Sequence, residues 1–182
     1  MTQQNDDKNA PCDQKDGGGA NDAIKPTRCG FISVIGAPNA GKSTLVNALV
    51  GTKVAIVSHK VQTTRVPVRG IAMVGESQLV FIDTPGIFKP RRHLDRAMVD
   101  AAWGGAGDGD LCVLLVDAQK GVDDDVERIL AKLDNIKQTK WLVLNKVDRV
   151  EDKGQLLALV AMLSERSNFE EVFMISALTG SG

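Results

Sequence analysis

The chain has 182 residues, 43% hydrophobic and 25% charged, with a net charge of −1; that is enough apolar material for one globular core and leaves no basic footprint for nucleic acid. Cys12, Cys29 and Cys112 have no metal-ligand spacing, and so sparse a set points to a reducing compartment. No apolar run reaches the roughly 18 residues that span a bilayer and the N-terminus is acidic and polar rather than signal-like, so the expectation is a cytoplasmic protein.

Residues 1–28 are rich in Asp, Lys, Asn, Gln and Gly, with Gly17-Gly18-Gly19 among them. They can bury too little surface to offset the entropy of ordering, and a disordered polar tail is expected. Phe31-Ile32-Ser33-Val34-Ile35 then reads as a buried strand and Thr44-Leu45-Val46-Asn47-Ala48-Leu49-Val50 as a helix ended by Gly51. Leu45, Val46, Leu49 and Val50 form its expected buried face.

Between strand and helix stands Gly36-Ala37-Pro38-Asn39-Ala40-Gly41-Lys42-Ser43, which fits the phosphate-binding pattern G-x-x-x-x-G-K-[ST] in the context it requires. Glycines let the backbone turn tightly and approach a ligand closely. Successive N–H groups and the helix N-terminus then favour an anion. Pro38 has no N–H, so donors are expected from Asn39 to Ser43, with Lys42 on the β- and γ-phosphates and Ser43 on Mg²⁺.

Residues 52–65 show little periodicity, and a long irregular loop of this kind is usually functional. Residues 66–74 and 77–82 read as two antiparallel strands joined at Gly75-Glu76. The second runs into Asp83-Thr84-Pro85-Gly86, where Asp83 would hold Mg²⁺ through water and the Gly86 N–H would meet the γ-phosphate. A helix is expected over 94–103, with Gly104 to Gly109 breaking the chain. His59 and His93 fall in the loops and receive no role.

Leu111-Cys112-Val113-Leu114-Leu115-Val116 is a strand covered on both faces, with Cys112 a small core residue. Asp123-Asp124-Asp125 marks a helix start, and Val126, Ile129, Leu130 and Leu133 follow on one face. Trp141-Leu142-Val143-Leu144 is the next buried strand, then a helix carrying Leu156, Leu159, Val160 and Leu163, then the strand Val172-Phe173-Met174-Ile175. Strands alternating with helices predict a mostly parallel sheet with helices on both faces, and ligands at the strands' carboxyl ends. The loops after Ile35, Ile82, Leu144 and Ile175 should therefore converge.

Asn145-Lys146-Val147-Asp148 would select the base. Guanine offers two donors on one edge, which the Asp148 carboxylate accepts; adenine would leave a buried acid unpaired. Asn145 can donate to the base and tie two loops together, the Lys146 stem can cover a ring face, and the Ala177 N–H, between Ser176 and Leu178, can donate to the guanine carbonyl.

These motifs, with Ser58-x-Lys60-x-Gln62-Thr63-Thr64-Arg65 and Ser176-Ala177-Leu178-Thr179-Gly180, resemble those of the Era-like family of bacterial ribosome-assembly GTPases, within the translation-factor-related class. The likeness covers roughly residues 30–182. It implies an α/β fold, a P-loop NTPase of the Ras-like G-domain type with a six-stranded sheet flanked by helices, over residues 29–182. It also implies GTP/GDP and Mg²⁺ as cofactors, hydrolysis of GTP, and a switch acting in small ribosomal subunit (16S rRNA) assembly. Family members carry a last G-domain helix and a C-terminal KH domain that binds the rRNA; both are expected to be missing here, as from a fragment. Gly104-Gly105-Ala106-Gly107 fits the KH pattern GXXG but is read as a loop. Peripheral contact with the inner membrane and a monomeric state complete what the family implies.

Candidate catalytic residues are Asn39, Lys42, Thr64 and Gly86, and candidate metal ligands Ser43, Thr64 and Asp83, with Thr63 as the alternative to Thr64. Gly36 to Thr44, Asp83 to Ile87, Asn145 to Asp148 and Ser176 to Leu178 make up the expected nucleotide site. Ile87 stands where Ras-like proteins carry a catalytic Gln, and the resemblance implies the same hydrophobic replacement. Asn39 is placed as in related GTPases that use K⁺; bracing the loop and helping to hold K⁺ both stay open. A GTP-binding scaffold or sensor with negligible turnover is the alternative function, and an ATP-using phosphotransferase is disfavoured by Asp148.

Overall fold

The computed structural model describes residues 28–57, 64, 67–90, 93–107 and 109–182. In chain order the elements are β1 (Arg28–Gly36), α1 (Lys42–Val50), β2 (Val68–Val74), β3 (Ser77–Asp83), α2 (His93–Gly107), β4 (Leu111–Asp117), α3 (Asp124–Leu133), β5 (Thr139–Asn145), α4 (Gly154–Arg166) and β6 (Glu171–Ile175), with a 3₁₀ turn at Val147–Arg149. They build one six-stranded sheet in the order β2-β3-β1-β4-β5-β6. β2 is antiparallel to β3, joined through Gly75 at φ 58°, and every other pairing is parallel. Parallel neighbours need crossovers, and the helices supply them.

The two faces are covered unequally. On one, α2, α3 and α4 pack Ala102, Ile129, Leu133 and Leu163 against Ile35, Leu114 and Leu142. Each fully buried aliphatic side chain there contributes about 1.5–3 kcal/mol. On the other, α1 sets Leu45 and Val46 over Val34, Phe81 and Leu115. The expected α1 face is narrower than its sequence suggests, because Leu49 is 48% exposed. Trp141 is half-buried, its ring 5.4 Å from that of Phe173. No helix among the described residues is long and apolar enough to cross a membrane.

Local signals behave as their chemistry requires. The Asp123 carboxylate accepts from the N–H groups of Asp125 and Val126 and caps α3. Gly51 closes α1 in the left-handed region, its N–H on the Asn47 carbonyl. Cys112 is wholly buried, and burial pushes its thiol up to about 12.

The glycine-rich stretch is the clearest correction. Gly104 to Gly107 do not break the chain: α2 runs through them, so GXXG here is neither a loop nor a KH element. The Ser33 hydroxyl donates to the Gly105 carbonyl at 2.5 Å, and a Cβ on Gly105 would sit 3.4 Å from Thr84. Small residues let this helix lie close on the sheet, and that packing outweighs their poor helix propensity. His93 opens α2 rather than lying in a loop, and Arg28 opens β1 where the tail was expected to continue.

Candidate functional site

The parallel strands bring the loops after β1, β3, β5 and β6 to one edge of the sheet. Lys42 and Asp148, separated by more than half the chain, line one cavity of about 380 Å³. Pro38, Asn39, Gly41, Ser43, Thr44, Thr64, Thr84, Gly86, Asn145, Lys146 and Leu178 line it too. The convergence expected from the strand ends is therefore present.

The loop after β1 is held from inside. The Lys42 ammonium donates to the carbonyls of Gly36 (3.1 Å) and Ala37 (2.9 Å). Burial lowers its pKa from 10.5 to about 8, opposed by the charge of Asp83. Ala40 does not offer its N–H to the cavity as expected, since it donates to the Ala37 carbonyl at 3.3 Å. The first helical bond of α1 runs from the Leu45 N–H to the Gly41 carbonyl, so the N–H groups just ahead of Leu45 carry no helical bond. Gly41 has φ 106°, and a Cβ there would lie 2.2 Å from Asn145 Nδ2. The close approach that demands this glycine is thus to the protein's own amide.

Asp83 is fully buried at the end of β3. Its Oδ2 accepts from Ser43 Oγ at 2.7 Å and Thr64 Oγ1 at 3.1 Å, and the two hydroxyls are 3.2 Å apart. Burial pushes its pKa up, against the Ser43 bond, the Lys42 charge and the Thr64 bond. Its Oδ1 is buried with no hydrogen-bond partner. Thr63, with Ser58, His59, Lys60, Gln62 and Arg65, lies outside the described residues.

Asn145 ties the loops together. Its Nδ2 donates to the Ala40 carbonyl at 2.8 Å and its Oδ1 accepts from the Ala177 N–H at 2.9 Å. The Ala177 N–H, expected to meet a base, is here engaged by Asn145. Asp148 is exposed rather than buried as anticipated. A bond from Ser176, itself buried, holds its carboxyl below the usual range. Val147 opens the 3₁₀ turn that presents Asp148.

Other expected residues act by packing. Thr84 donates to the Val34 carbonyl at 2.8 Å, and Pro85 is buried. Ile87 is 2% exposed in the core cluster that includes Ala37 and Val99, and its N–H donates to the Gly36 carbonyl at 3.1 Å. It does not line the cavity.

Sequence reasoning missed several neighbours. Ile56, Val57, Lys120 and Arg149 line the cavity. The carbonyl oxygen of the Asn47 side chain accepts from the Val54 and Ala55 N–H groups, and its amide donates to the Ala55 carbonyl, pinning the loop that follows α1. Asp117, at the end of β4, forms an ion pair of 2.5 Å with Lys146. A signal for Asp117 existed: β4 is a parallel strand too, and an acid closes its apolar run at the ligand-binding edge.

Comparison with known proteins agrees with this geometry. Residues 31–146 match the family model described as 50S ribosome-binding GTPase. The chain is 63% identical over 157 residues to GTPase Era of Rhizobium meliloti, covering 86% of this chain and 50% of that protein. It is 58% identical over 165 residues to GTPase Era of Brucella suis, covering 91% and 52%. It therefore spans about half the length of the curated relatives it matches. A crystal structure of Era with MgGDPNP and nucleotides 1506–1542 of 16S ribosomal RNA superposes with a TM-score of 0.80 at 34% identity, covering 86% of this chain and 53% of that one. An Aquifex aeolicus Era variant bound to GDP.AlF4⁻ gives 0.79 at 34% identity, covering 85% and 53%. With a Ras-like fold, a phosphate-loop geometry and these relatives, the chain belongs to the 50S ribosome-binding GTPase family, as a G domain of the kind found in GTPase Era.

Proposed function

We infer that this chain binds a guanine nucleotide with Mg²⁺ in the cavity and hydrolyses GTP to GDP and phosphate, as a switch. The observation that carries the reading is the buried Asp83 carboxylate, whose Oδ2 gathers the Ser43 and Thr64 hydroxyls under the charge of Lys42 while its Oδ1 has no donor. Ser43, Thr64 and Asp83 are the hard oxygen donors Mg²⁺ takes. An unpaired buried acceptor costs about 1–3 kcal/mol or more, which a hydrated cation beside it would recover. The donor set therefore fits the ion, which when bound neutralises charge on the β- and γ-phosphates.

The chain's own residues do the rest. The Lys42 ammonium and the free N–H groups at the start of α1 hold the phosphate tail. The Gly86 N–H meets the γ-phosphate, and Thr64 senses its presence by swinging in when the γ-phosphate is there and out after its loss. Asp148 accepts both donors of the guanine edge, and loss of that pair disfavours adenine. Attack is by water, in line, with catalysis by positioning and charge rather than by a covalent intermediate. Ile87 cannot orient that water by a hydrogen bond; Asn39, on the cavity wall, would help to hold a K⁺, which would supply positive charge for the transition state.

The same Ile87 geometry favours one second reading, a GTP-binding scaffold with negligible turnover. One experiment separates the readings: titrate GTP, ATP and XTP, with and without Mg²⁺, and follow phosphate release. GTP preference with Mg²⁺-dependent release is expected. GTP binding without release supports the scaffold, and preference for ATP overturns the assignment. A role in small-subunit assembly is proposed from the Era complex that holds 16S rRNA. We assign the RNA contact to the KH domain of full-length relatives, so residues 29–182 alone should give no specific gel shift with a 16S fragment.

A further inference from the structure

We propose that Asp117 is a positioning residue for the nucleotide, acting through Lys146. The proposal rests on the guanine-nucleotide reading above and adds a residue outside every motif that led to it. Asp117 ends β4 in register with Asn145, and the Ala118 N–H donates to the Asn145 carbonyl at 2.8 Å. The acid is therefore fixed beside the base-recognition loop by the sheet itself.

Its two oxygens have different tasks. Oδ1 accepts from the N–H groups of Gln119 (3.0 Å) and Lys120 (3.4 Å), so the carboxylate cannot rotate freely. Oδ2 receives the Lys146 ammonium at 2.5 Å, and that ammonium also donates to the Asn39 carbonyl at 2.7 Å. The side chains of Lys146 and Asp117 are only 22% and 9% exposed. Removing one partner of such a pair leaves a charge unpaired away from bulk water, which costs more than breaking a surface pair. The lysine stem is thereby stretched from the base-recognition loop across to the phosphate loop, along the cavity wall. Without the anion, a flexible four-carbon chain regains its rotamers and its hydration, and the wall loses its shape.

A turn cap alone would explain Oδ1 but not Oδ2. Asp117→Asn separates the two, because its amide oxygen still accepts from the turn while its nitrogen faces an ammonium. The measurement is release of N-methylanthraniloyl-GDP from wild type, D117N, K146M and the double variant. Each single change should speed release about tenfold, equivalent to roughly 1.4 kcal/mol. The double variant should be no faster than K146M, since K146M already removes the interaction that D117N weakens. Unchanged release by D117N, or effects that multiply in the double variant, would overturn the proposal. Asp117→Ser, which keeps a turn-capping acceptor, serves the same cycle if D117N does not fold. Failure of wild type to bind the GDP probe at all would instead overturn the guanine reading, and this proposal with it.

Discussion

Lys146 and Asn39 are joined by a hydrogen bond of 2.7 Å from the lysine ammonium to the asparagine carbonyl, and both have left-handed backbones, at φ 66° and 62°. Among the described residues they are the non-glycine positions with positive φ. Such conformations cost about 1–3 kcal/mol each and persist where surroundings over-determine them. The strain is thus concentrated where the loops after β1 and β5 touch.

Asn39→Gly separates backbone from side chain, because glycine adopts this φ without cost. The loop should keep its shape and its GTP affinity. Hydrolysis by the wild type should be faster in K⁺ than in Na⁺, and Asn39→Gly should remove the difference. Equal wild-type rates in the two salts would eliminate the cation role of Asn39.

In the proposed reading, base selection rests on Asp148. It is exposed, so Asp148→Asn should leave melting unchanged while GTP affinity falls and XTP affinity rises. Competition binding measures both, and unaltered GTP affinity would contradict the assignment.

Gly41→Ala should destabilise the fold as well as the site. The new methyl would meet Asn145 Nδ2 at 2.2 Å on a backbone at φ 106°, and strain of this kind costs about 1–3 kcal/mol. Thermal denaturation should show a clear fall in Tm with loss of nucleotide binding together. A variant that melts like wild type would mean the Asn145 amide is free to move aside.

The Lys42 pKa sets a pH dependence. Folding lowers it from 10.5 to about 8, through burial. Between those values the unfolded chain binds more protons, so stability of the nucleotide-free protein should rise with pH, by up to about 3 kcal/mol. Below pH 8 the lysine is charged in both states and the cost of burying it is present in full. A phosphate tail beside the ammonium favours the charged form, so saturating Mg·GDP should flatten the rise. Denaturant titrations from pH 7 to 10, with and without nucleotide, test both statements.

The linear chain was enough for the phosphate loop, the Asp83 and Asn145–Asp148 segments, the antiparallel hairpin and the strand–helix alternation. Each is written in local chemistry: apolar runs of strand length, glycines at turns, acids at helix starts. Three-dimensional packing decided the rest. Gly104 to Gly107 are helical because Ser33 and Thr84 lie beneath them, a partnership that no local propensity contains. Ile87 turns into the core because neighbours distant in the chain, Ala37 and Val99 among them, receive it there. Asp117 acquires its partner only when β4 and β5 lie side by side. Motifs record which chemistry is available; contacts between segments far apart in sequence determine which atoms are left free to use it.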